Sequence, residues 1–271
     1  MLLKVYSLSI LLIDILWVVA NTFYAIIQAF YHFVRPPLPK SVKLETVLVI
    51  GAGRGVGREI AIQLAKCGAI VLCVDVNKVS NENTLLEIKR NGGSAVNYVC
   101  DITKKSNVLN LVTQIKKDVG FVSMLFYCCG IPSPRSLLTQ PAKDIHDTLD
   151  LTLTSFLWLI DQFLPEMKIK NHGHIVALTS VAGISYVKDQ IPLSVAQFAV
   201  QGLAESLMED LRINKITGVY VTLIHIYPFI VRADGSSDLR LRMSPETVTG
   251  RFPFLLPGRR RLAAAEWSKG A

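Results

Sequence analysis

The chain has 271 residues, a length that fits one α/β domain with short appendages. Hydrophobic residues make up 51% of it and the mean hydropathy is +0.39, values that argue against a wholly soluble protein. The formal charge of +8 would suit a nucleic-acid partner, but the segment from Arg232 onward contributes +4, because seven Arg and one Lys oppose two Asp and two Glu there. We therefore predict no nucleic-acid partner and a basic tail that is solvated or faces anionic lipid.

The five cysteines show no C-x-x-C spacing, which indicates a reducing compartment and unpaired thiols. The spacing of His, Cys, Asp and Glu is not typical of a metal site, so no metal is predicted. His172 and His174 flank a glycine, and we expect both at the surface or in a loop. His225 lies in an apolar run and is expected in the core.

The N-terminal segment Val5–Val34 is almost continuously apolar, with Asp14 as its one acidic interruption. Its part Ile15–Val34 has no Asp, Glu, Lys or Arg across 20 residues. A helix of that length spans about 30 Å, the thickness of the hydrocarbon core of a bilayer. We predict a membrane anchor over residues 1–35, with a segment lying in one leaflet and a buried soluble helix as alternatives.

The charges around this segment predict its orientation. Lys4 alone precedes it, whereas Arg35, Lys40 and Lys43 follow it. The positive-inside rule therefore places the folded domain in the cytosol. Residues 36–43 contain three prolines and are predicted to form a short, stiff linker.

A strand–turn–helix pattern follows the linker. The apolar run Thr46–Ile50 predicts a buried parallel strand, and Arg58–Cys67 has a helical pattern. A glycine-rich turn between a strand and a helix lets backbone N–H groups approach a pyrophosphate at the helix N-terminus. The turn residues predicted to contact a dinucleotide are Gly51, Gly55, Val56 and Gly57.

The second predicted strand, Ile70–Val74, ends at Asp75. A carboxylate at this place accepts hydrogen bonds from the ribose hydroxyls of adenosine and repels a 2′-phosphate, which favours NAD. Arg54, inside the glycine turn, argues for NADP because a basic side chain attracts that phosphate. We expect NAD, with NADP as the alternative.

Further alternation of strands and helices predicts the fold class. The predicted elements are a helix near Asn83–Arg90, a strand Ala95–Cys100, a helix near Lys104–Val119 and a strand Met124–Tyr127. Repeated βα units of this length imply a single Rossmann-like, doubly wound parallel sheet behind the N-terminal helix, with the domain at residues 44–233.

Four stretches of the chain resemble the short-chain dehydrogenase/reductase superfamily. They are the glycine turn, Asp101-Ile102, the turn Tyr127–Gly130 and the active-site stretch Gly173–Gly202. The resemblance implies a nicotinamide cofactor that Asp101, Ile102 and Gly130 would also contact. Gly130 is all that remains of the family's Asn-Asn-Ala-Gly turn.

The anchor and the phrases Phe163–Met167 and His172–Val176 narrow the resemblance. They are similar to the membrane-anchored branch that contains retinol and steroid dehydrogenases of the endoplasmic reticulum and lipid droplets. That branch implies hydride transfer between a nicotinamide cofactor and a hydrophobic alcohol or ketone.

The resemblance implies four active-site positions. In the family a tyrosine acts as acid and base, a lysine lowers its pKa and holds the ribose, a serine orients the substrate and an asparagine supports a proton relay. Here Ser180 occupies the serine position and Thr152 the asparagine position. Leu193 and Gln197 replace the tyrosine and the lysine.

The two replacements predict an impaired enzyme. Leucine has no titratable proton, and a positioned acid or base contributes roughly 10²–10⁴ in rate. The fold tolerates the change, because Leu193, Ala196, Gln197 and Val200 share one face of a predicted helix. Tyr186 and Ser194 are the nearby groups that an alternative acid would use.

The end of the chain departs from the family pattern. Ala233 stands where a cofactor-clamping threonine is expected, and Ser244–Val248 resembles the start of a helix that no apolar final strand follows. We expect residues 234–271 to be an atypical basic segment, compatible with a truncated isoform or an imperfect gene model.

Three functional hypotheses remain open. The first is an impaired relative that still binds a dinucleotide or a hydrophobic ligand. The second is a working NAD(P)-dependent oxidoreductase that uses another acid. The third is a non-enzymatic lipid-binding or dimerisation partner, which would associate as a homodimer or heterodimer through the helices near Thr152–Lys170 and Leu193–Ile213.

Overall fold

The computed structural model describes residues 2–35, 40–129, 137, 140–184 and 190–226. It falls into two compact units, an N-terminal one that reaches Ser41 and a domain that begins at Val42. The predicted site residue Gly130 lies outside the described residues, as do Tyr186, Ala233 and the basic segment 234–271.

The N-terminal unit contains one long helix, α1 (Leu2–Val34). Its segment Ile10–Tyr31 has 22 residues and is long and apolar enough to cross a bilayer. The side chains of this segment are exposed almost throughout, including Trp17 and Phe30. The helix lies within the predicted segment 1–35.

The domain is built on one six-stranded sheet in which every pair of neighbouring strands is parallel. The strands are β1 (Thr46–Ile50), β2 (Ile70–Asp75), β3 (Ser94–Val99), β4 (Met124–Tyr127), β5 (Gly173–Ser180) and β6 (Val219–Ile226). Their order across the sheet is β3-β2-β1-β4-β5-β6. The predicted Rossmann-like, doubly wound sheet is confirmed.

Helices connect the strands. They are α2 (Gly55–Lys66), α3 (Lys78–Arg90), α4 (Lys105–Asp118), α5 (Ala142–Leu149), α6 (Ser155–Ile169) and α7 (Ile191–Ile213). A π-helical turn, Asp150–Thr154, joins α5 to α6, and a 3₁₀ turn, Val181–Gly183, follows β5.

Helix α3 begins five residues before its predicted start near Asn83, because Asn77 caps it. The side chain of Asn77 accepts a hydrogen bond of 3.0 Å from the backbone N–H of Ser80. The polar residues that follow the cap have no apolar periodicity, so the pattern alone could not reveal this first turn.

The four central strands, β2, β1, β4 and β5, are buried on both faces, as continuous apolar strands require. Along β1, Leu48 and Ile50 point into one cluster, and Val47 and Val49 point into the other. The first cluster packs against helices α4, α6 and α7, whereas the second packs against α2 and α3.

The chain reverses its direction of winding between β1 and β4, which are neighbours in the sheet although β2 and β3 lie between them in sequence. In such sheets, ligands bind outside the carboxyl ends of the strands at this switch point. The residues that follow the strand ends at this edge are Gly51, Cys128 and, further out, Asp101. The fold therefore places the predicted cofactor residues at one edge of the sheet.

Candidate functional site

Close backbone contacts shape the glycine turn between β1 and α2. Gly51 has a φ of +83°, in the left-handed region that favours glycine. A Cβ atom at Gly57 would lie 2.1 Å from the carbonyl oxygen of Gly51, so a side chain has no room there. These two glycines hold the first turn of α2 against the carboxyl end of β1.

The N-terminus of α2 faces an open space. Arg54 is the N-cap residue, and its side chain makes no capping hydrogen bond. At Gly55 an added Cβ would meet no described heavy atom within 4 Å. The first N–H groups of a helix have no partner within the helix and attract anions. Gly55, Val56 and Gly57 therefore fit the pyrophosphate of a dinucleotide.

Asp75, the last residue of β2, closes the other side of the turn. Its Oδ2 accepts a hydrogen bond of 2.9 Å from the N–H of Gly53, and its Oδ1 accepts one of 2.9 Å from the N–H of Asn77. A Cβ atom at Gly53 would lie 2.7 Å from Asp75 Oδ2, so a larger residue there would displace the Asp75 carboxylate. The fixed carboxylate still has lone pairs for ribose hydroxyls.

Asp101 stands beyond the end of β3 and is held by a local turn. Its Oδ1 accepts hydrogen bonds from the hydroxyl of Thr103 at 2.6 Å and from the N–H of Thr103 at 3.1 Å. The Thr103 hydroxyl, helped by the charge of Lys104, lowers the pKa of Asp101. The carboxylate is ionised at neutral pH, and the adjacent Ile102 is buried.

Two adjacent cysteines lie beside the glycine turn. A Cβ atom at Gly51 would lie 3.0 Å from the Sγ of Cys129, and one at Gly57 would lie 3.1 Å from the Cβ of Cys128. The N–H of Cys128 donates to the carbonyl of Ile50 at 3.0 Å, which continues the pairing of β4 with β1. The small thiols therefore allow α2 to approach β4 closely.

Both thiols are neutral at pH 7. Burial and, to a smaller extent, the charge of Asp75 raise the pKa of Cys129 to about 12, against an opposing effect of Arg54. Burial raises the pKa of Cys128 well above its usual value. They act as small apolar groups in the wall of the site rather than as nucleophiles.

Ser180 ends β5 and is joined directly to α7. Its backbone N–H donates a hydrogen bond of 3.0 Å to Oε1 of Gln197. Its hydroxyl oxygen accepts one of 3.1 Å from the N–H of Ala182 in the 3₁₀ turn. A Cβ atom at Gly183 would lie 3.2 Å from the Cβ of Gln197, so the turn packs tightly on α7.

Leu193 and Gln197 both face inward on α7. Leu193 is 5% exposed and Gln197 is 3% exposed. Ala196 and Val200, on the same helix face, are buried as well, as predicted. No titratable side chain stands at either family position, and the Gln197 carboxamide is committed to the backbone of β5.

Thr152 lies in the π-helical turn, which packs against α7. The side chain is 2% exposed, and its hydroxyl has no partner among the described residues. The hydroxyl of Tyr127, stacked on Phe156, donates to the carbonyl of the neighbouring Leu151. Single π turns inside helices are frequent at functional sites.

The structure thus brings Ser180 into contact with Gln197, and Asp75 into contact with the glycine turn. Sequence reasoning did not single out Gly53 as the partner of Asp75, although the glycine run contained the signal. It also gave no role to Cys128 and Cys129, which lie beside the glycine turn. Two adjacent cysteines after a strand are not a recognisable motif for a cofactor site.

The expectation that His174 lies at the surface or in a loop was wrong. His174 is in β5 and is 5% exposed, with its Nε2 2.8 Å from the Thr222 hydroxyl of β6. Strand β5 begins at Gly173 itself, so His174 is its second residue. His172 does lie outside the strand, where it pairs with Glu45 at 3.0 Å.

Comparisons with known proteins agree with this geometry. The family described as short chain dehydrogenase matches residues 45–242. Human epidermal retinol dehydrogenase 2 is 32% identical over 213 residues, which are 78% of this chain and 68% of that protein.

Two solved structures have the same fold. A metagenomic short-chain oxidoreductase in complex with NADP has a TM-score of 0.65 and 26% identity, over 69% of this chain and 83% of that one. A 7α-hydroxysteroid dehydrogenase complexed with NADH and 7-oxo glycochenodeoxycholic acid has a TM-score of 0.64 and 27% identity, over 68% and 71%. The chain therefore belongs to the short-chain dehydrogenase/reductase family and is related to its retinol and steroid oxidoreductases.

Proposed function

We propose that this chain is a membrane-anchored short-chain dehydrogenase that binds a nicotinamide dinucleotide but has lost most of its capacity for hydride transfer. The observation that carries the proposal is the buried pair Leu193 and Gln197, of which Gln197 is hydrogen-bonded to Ser180. The cofactor edge of the sheet keeps its glycine turn and its acidic strand end.

The loss at Leu193 removes the proton donor. When a hydride moves between a cofactor and a carbon that bears oxygen, the oxygen must gain or lose a proton. Leucine has no proton to exchange, and its burial shows that it fills the position as a packing residue. A positioned acid or base is worth roughly 10²–10⁴ in rate, so we expect residual turnover at most.

The change at Gln197 removes the positive charge. A carboxamide is neutral and cannot lower the pKa of a neighbouring hydroxyl as an ammonium does. Gln197 Oε1 accepts the N–H of Ser180, which turns the side chain toward β5. Its role here is to fix the end of β5 rather than to hold a ribose.

The remaining side of the site favours binding. The Ser180 hydroxyl accepts from Ala182 and keeps its own proton to donate to a ligand oxygen. Two proteins similar to this chain are named as a retinol dehydrogenase and a hydroxysteroid dehydrogenase. We therefore expect a hydrophobic alcohol or ketone of the retinoid or steroid class as ligand.

The cofactor we expect is NAD. Asp75 is fixed at the position where a 2′-phosphate would meet its negative charge. Arg54 is the group that favours NADP instead. A 2′-phosphate would have to pair with Arg54 and avoid the Asp75 carboxylate.

The location we propose is a cytosol-facing membrane, of the endoplasmic reticulum or of lipid droplets. The long exposed helix α1 and the basic residues after it support this, together with the resemblance to the membrane-anchored branch.

Calorimetric titration of the full-length protein in detergent micelles with NADH and with NADPH tests the binding half of the proposal. Micromolar binding of NADH with weaker binding of NADPH is the expected result. If neither dinucleotide binds, the chain is a scaffold without a redox site, and the proposal is wrong.

A further inference from the structure

Helix α1 carries polar and aromatic side chains at alternating spacings of three and four residues. These residues, which we call the polar seam, are Asp14, Trp17, Asn21, Tyr24, Gln28 and Tyr31. The spacing corresponds to the a and d positions of a heptad. With 3.6 residues per turn, the six fall within an arc of about 100° on the helix surface.

The rest of the apolar segment lacks comparable polar groups, and its aromatic residues outside the seam, Phe23 and Phe30, have no hydrogen-bonding group. Between Ile10 and Tyr31, Thr22 is the one other polar residue, and it lies off the seam. Its hydroxyl donates to the carbonyl of Val18 at 2.8 Å, so its hydrogen-bonding capacity is used within the helix. The polar character of the segment is therefore concentrated on one side.

The amides of the seam are only partly used within the helix. Nδ2 of Asn21 donates to the carbonyl of Trp17 at 2.8 Å, and Nε2 of Gln28 donates to the hydroxyl of Tyr24 at 2.8 Å. One N–H and the carbonyl oxygen of each amide have no partner among the described residues, and both side chains are exposed. In a bilayer, no water is at hand to satisfy them.

We propose that the polar seam pairs two copies of this chain as parallel, in-register helices within the bilayer. The inference rests on the proposed membrane anchoring. A carboxamide is both donor and acceptor, so Asn21 complements Asn21 of the second copy and Gln28 complements Gln28 of the second copy. Equivalent a positions face each other in a parallel pair, and an Asn at such a position specifies register.

The orientation follows from anchoring as well. Two copies with the same charge distribution around α1 enter the membrane in the same direction, so an antiparallel pair is excluded. The aromatic residues of the seam occupy the d positions, and the partner helix would cover them. One of them, Trp17, is 70% exposed. The seam therefore fits a second copy better than lipid.

Asp14 weakens the pairing. An in-register pair brings two Asp14 side chains to the same level, one turn inside the apolar segment that begins at Ile10. Like charges oppose association there. Replacing Asp14 with Asn removes the repulsion and adds another self-complementary amide.

The test uses full-length protein carrying a donor or an acceptor fluorophore, mixed in phosphatidylcholine vesicles. Flotation of the vesicles first reports membrane insertion, and energy transfer against protein-to-lipid ratio then reports pairing. We expect Asn21→Leu with Gln28→Leu to weaken pairing about tenfold and Asp14→Asn to tighten it about threefold. Thr22→Leu is the matched control, since it removes a neighbouring polar group off the seam and should leave pairing unchanged.

The outcomes separate the two proposals. Failure to float with the vesicles would overturn the membrane anchoring and the seam together. Flotation without energy transfer would overturn the seam alone. A loss of pairing for Thr22→Leu equal to that of the double variant, or weaker pairing for Asp14→Asn, would contradict the in-register arrangement.

Discussion

Gln197 accepts a hydrogen bond from the backbone N–H of Ser180 at 3.0 Å and so joins the second turn of α7 to the end of β5. The position where the family resemblance implies a charged lysine is thus occupied by a neutral group with a structural contact. The neutral side chain at this position is buried and hydrogen-bonded, so the fold accommodates it.

This contact predicts that Gln197→Met lowers stability. Methionine keeps the approximate volume but offers no strong acceptor, so the N–H of Ser180 loses its partner in a largely buried place, at a cost of about 1–3 kcal/mol. Thermal unfolding of the full-length protein measures the change. Gln114→Met, at an exposed glutamine of α4, should unfold at the wild-type temperature.

Gly55→Ala should weaken dinucleotide binding more than it weakens the fold. Gly55 has a φ of +59° and an added Cβ would point into the open space at the N-terminus of α2. The strain costs about 1–2 kcal/mol, while the methyl group occupies space needed by a pyrophosphate. We expect at least a tenfold loss of NADH affinity by calorimetry.

Gly92→Ala is the matched control for this change. Gly92 has a φ of +76° and equally open surroundings among the described residues, but it lies between α3 and β3 at the opposite edge of the sheet. Its variant should lose similar stability and keep NADH affinity. Equal loss of affinity in both variants would mean that backbone strain alone, and not the cofactor space, explains the effect.

Asp75→Asn should shift the cofactor preference toward NADPH. The amide oxygen can still accept one of the two backbone N–H groups that the carboxylate now binds, while the negative charge is lost. Arg54 then attracts a 2′-phosphate without opposition. We expect the ratio of NADPH to NADH affinity to rise about tenfold, which corresponds to roughly 1.4 kcal/mol of binding free energy. An unchanged ratio would remove Asp75 from the specificity determinants.

The cysteines beside the glycine turn offer a test that needs no catalysis. The pKa of Cys129 is raised to about 12. Its thiolate fraction, and with it the rate of maleimide labelling, should therefore rise about tenfold for each pH unit between pH 7 and pH 9.

Bound NADH should slow the labelling of Cys129, measured by mass spectrometry of its peptide. The exposed Cys67 is an internal control and should be labelled equally with and without NADH. Equal labelling of Cys129 in both conditions would place the cofactor elsewhere.

Much of the fold was predictable because its signals are local. The runs Thr46–Ile50 and Met124–Tyr127 are strands with the predicted bounds. The start of α3 could not be predicted, because its signal is the single capping side chain of Asn77. The position of His174 was missed because burial in β5 depends on pairing with β6, a contact between distant parts of the chain.

For the site, residue spacing could suggest candidate residues but not their contacts. That Leu193 and Gln197 stand in place of a tyrosine and a lysine is an expectation drawn from the family resemblance. The bond from Gln197 to Ser180 and the orphan hydroxyl of Thr152 depend on how α7, β5 and the π-helical turn pack together. Such side-chain geometry has no counterpart in residue spacing.

The most direct test of the central claim is the rate of NAD-dependent oxidation of retinol by the wild-type protein and by the double variant Leu193→Tyr with Gln197→Lys. The account predicts little turnover by the wild type and a gain of roughly 10²–10⁴ in the double variant, because the acid and its supporting charge are restored. The variant Leu193→Phe with Gln197→Lys, which lacks only the hydroxyl, should stay at the wild-type rate. Oxidation of retinol by the wild-type protein as fast as by the double variant would contradict the claim that Leu193 and Gln197 impair this site.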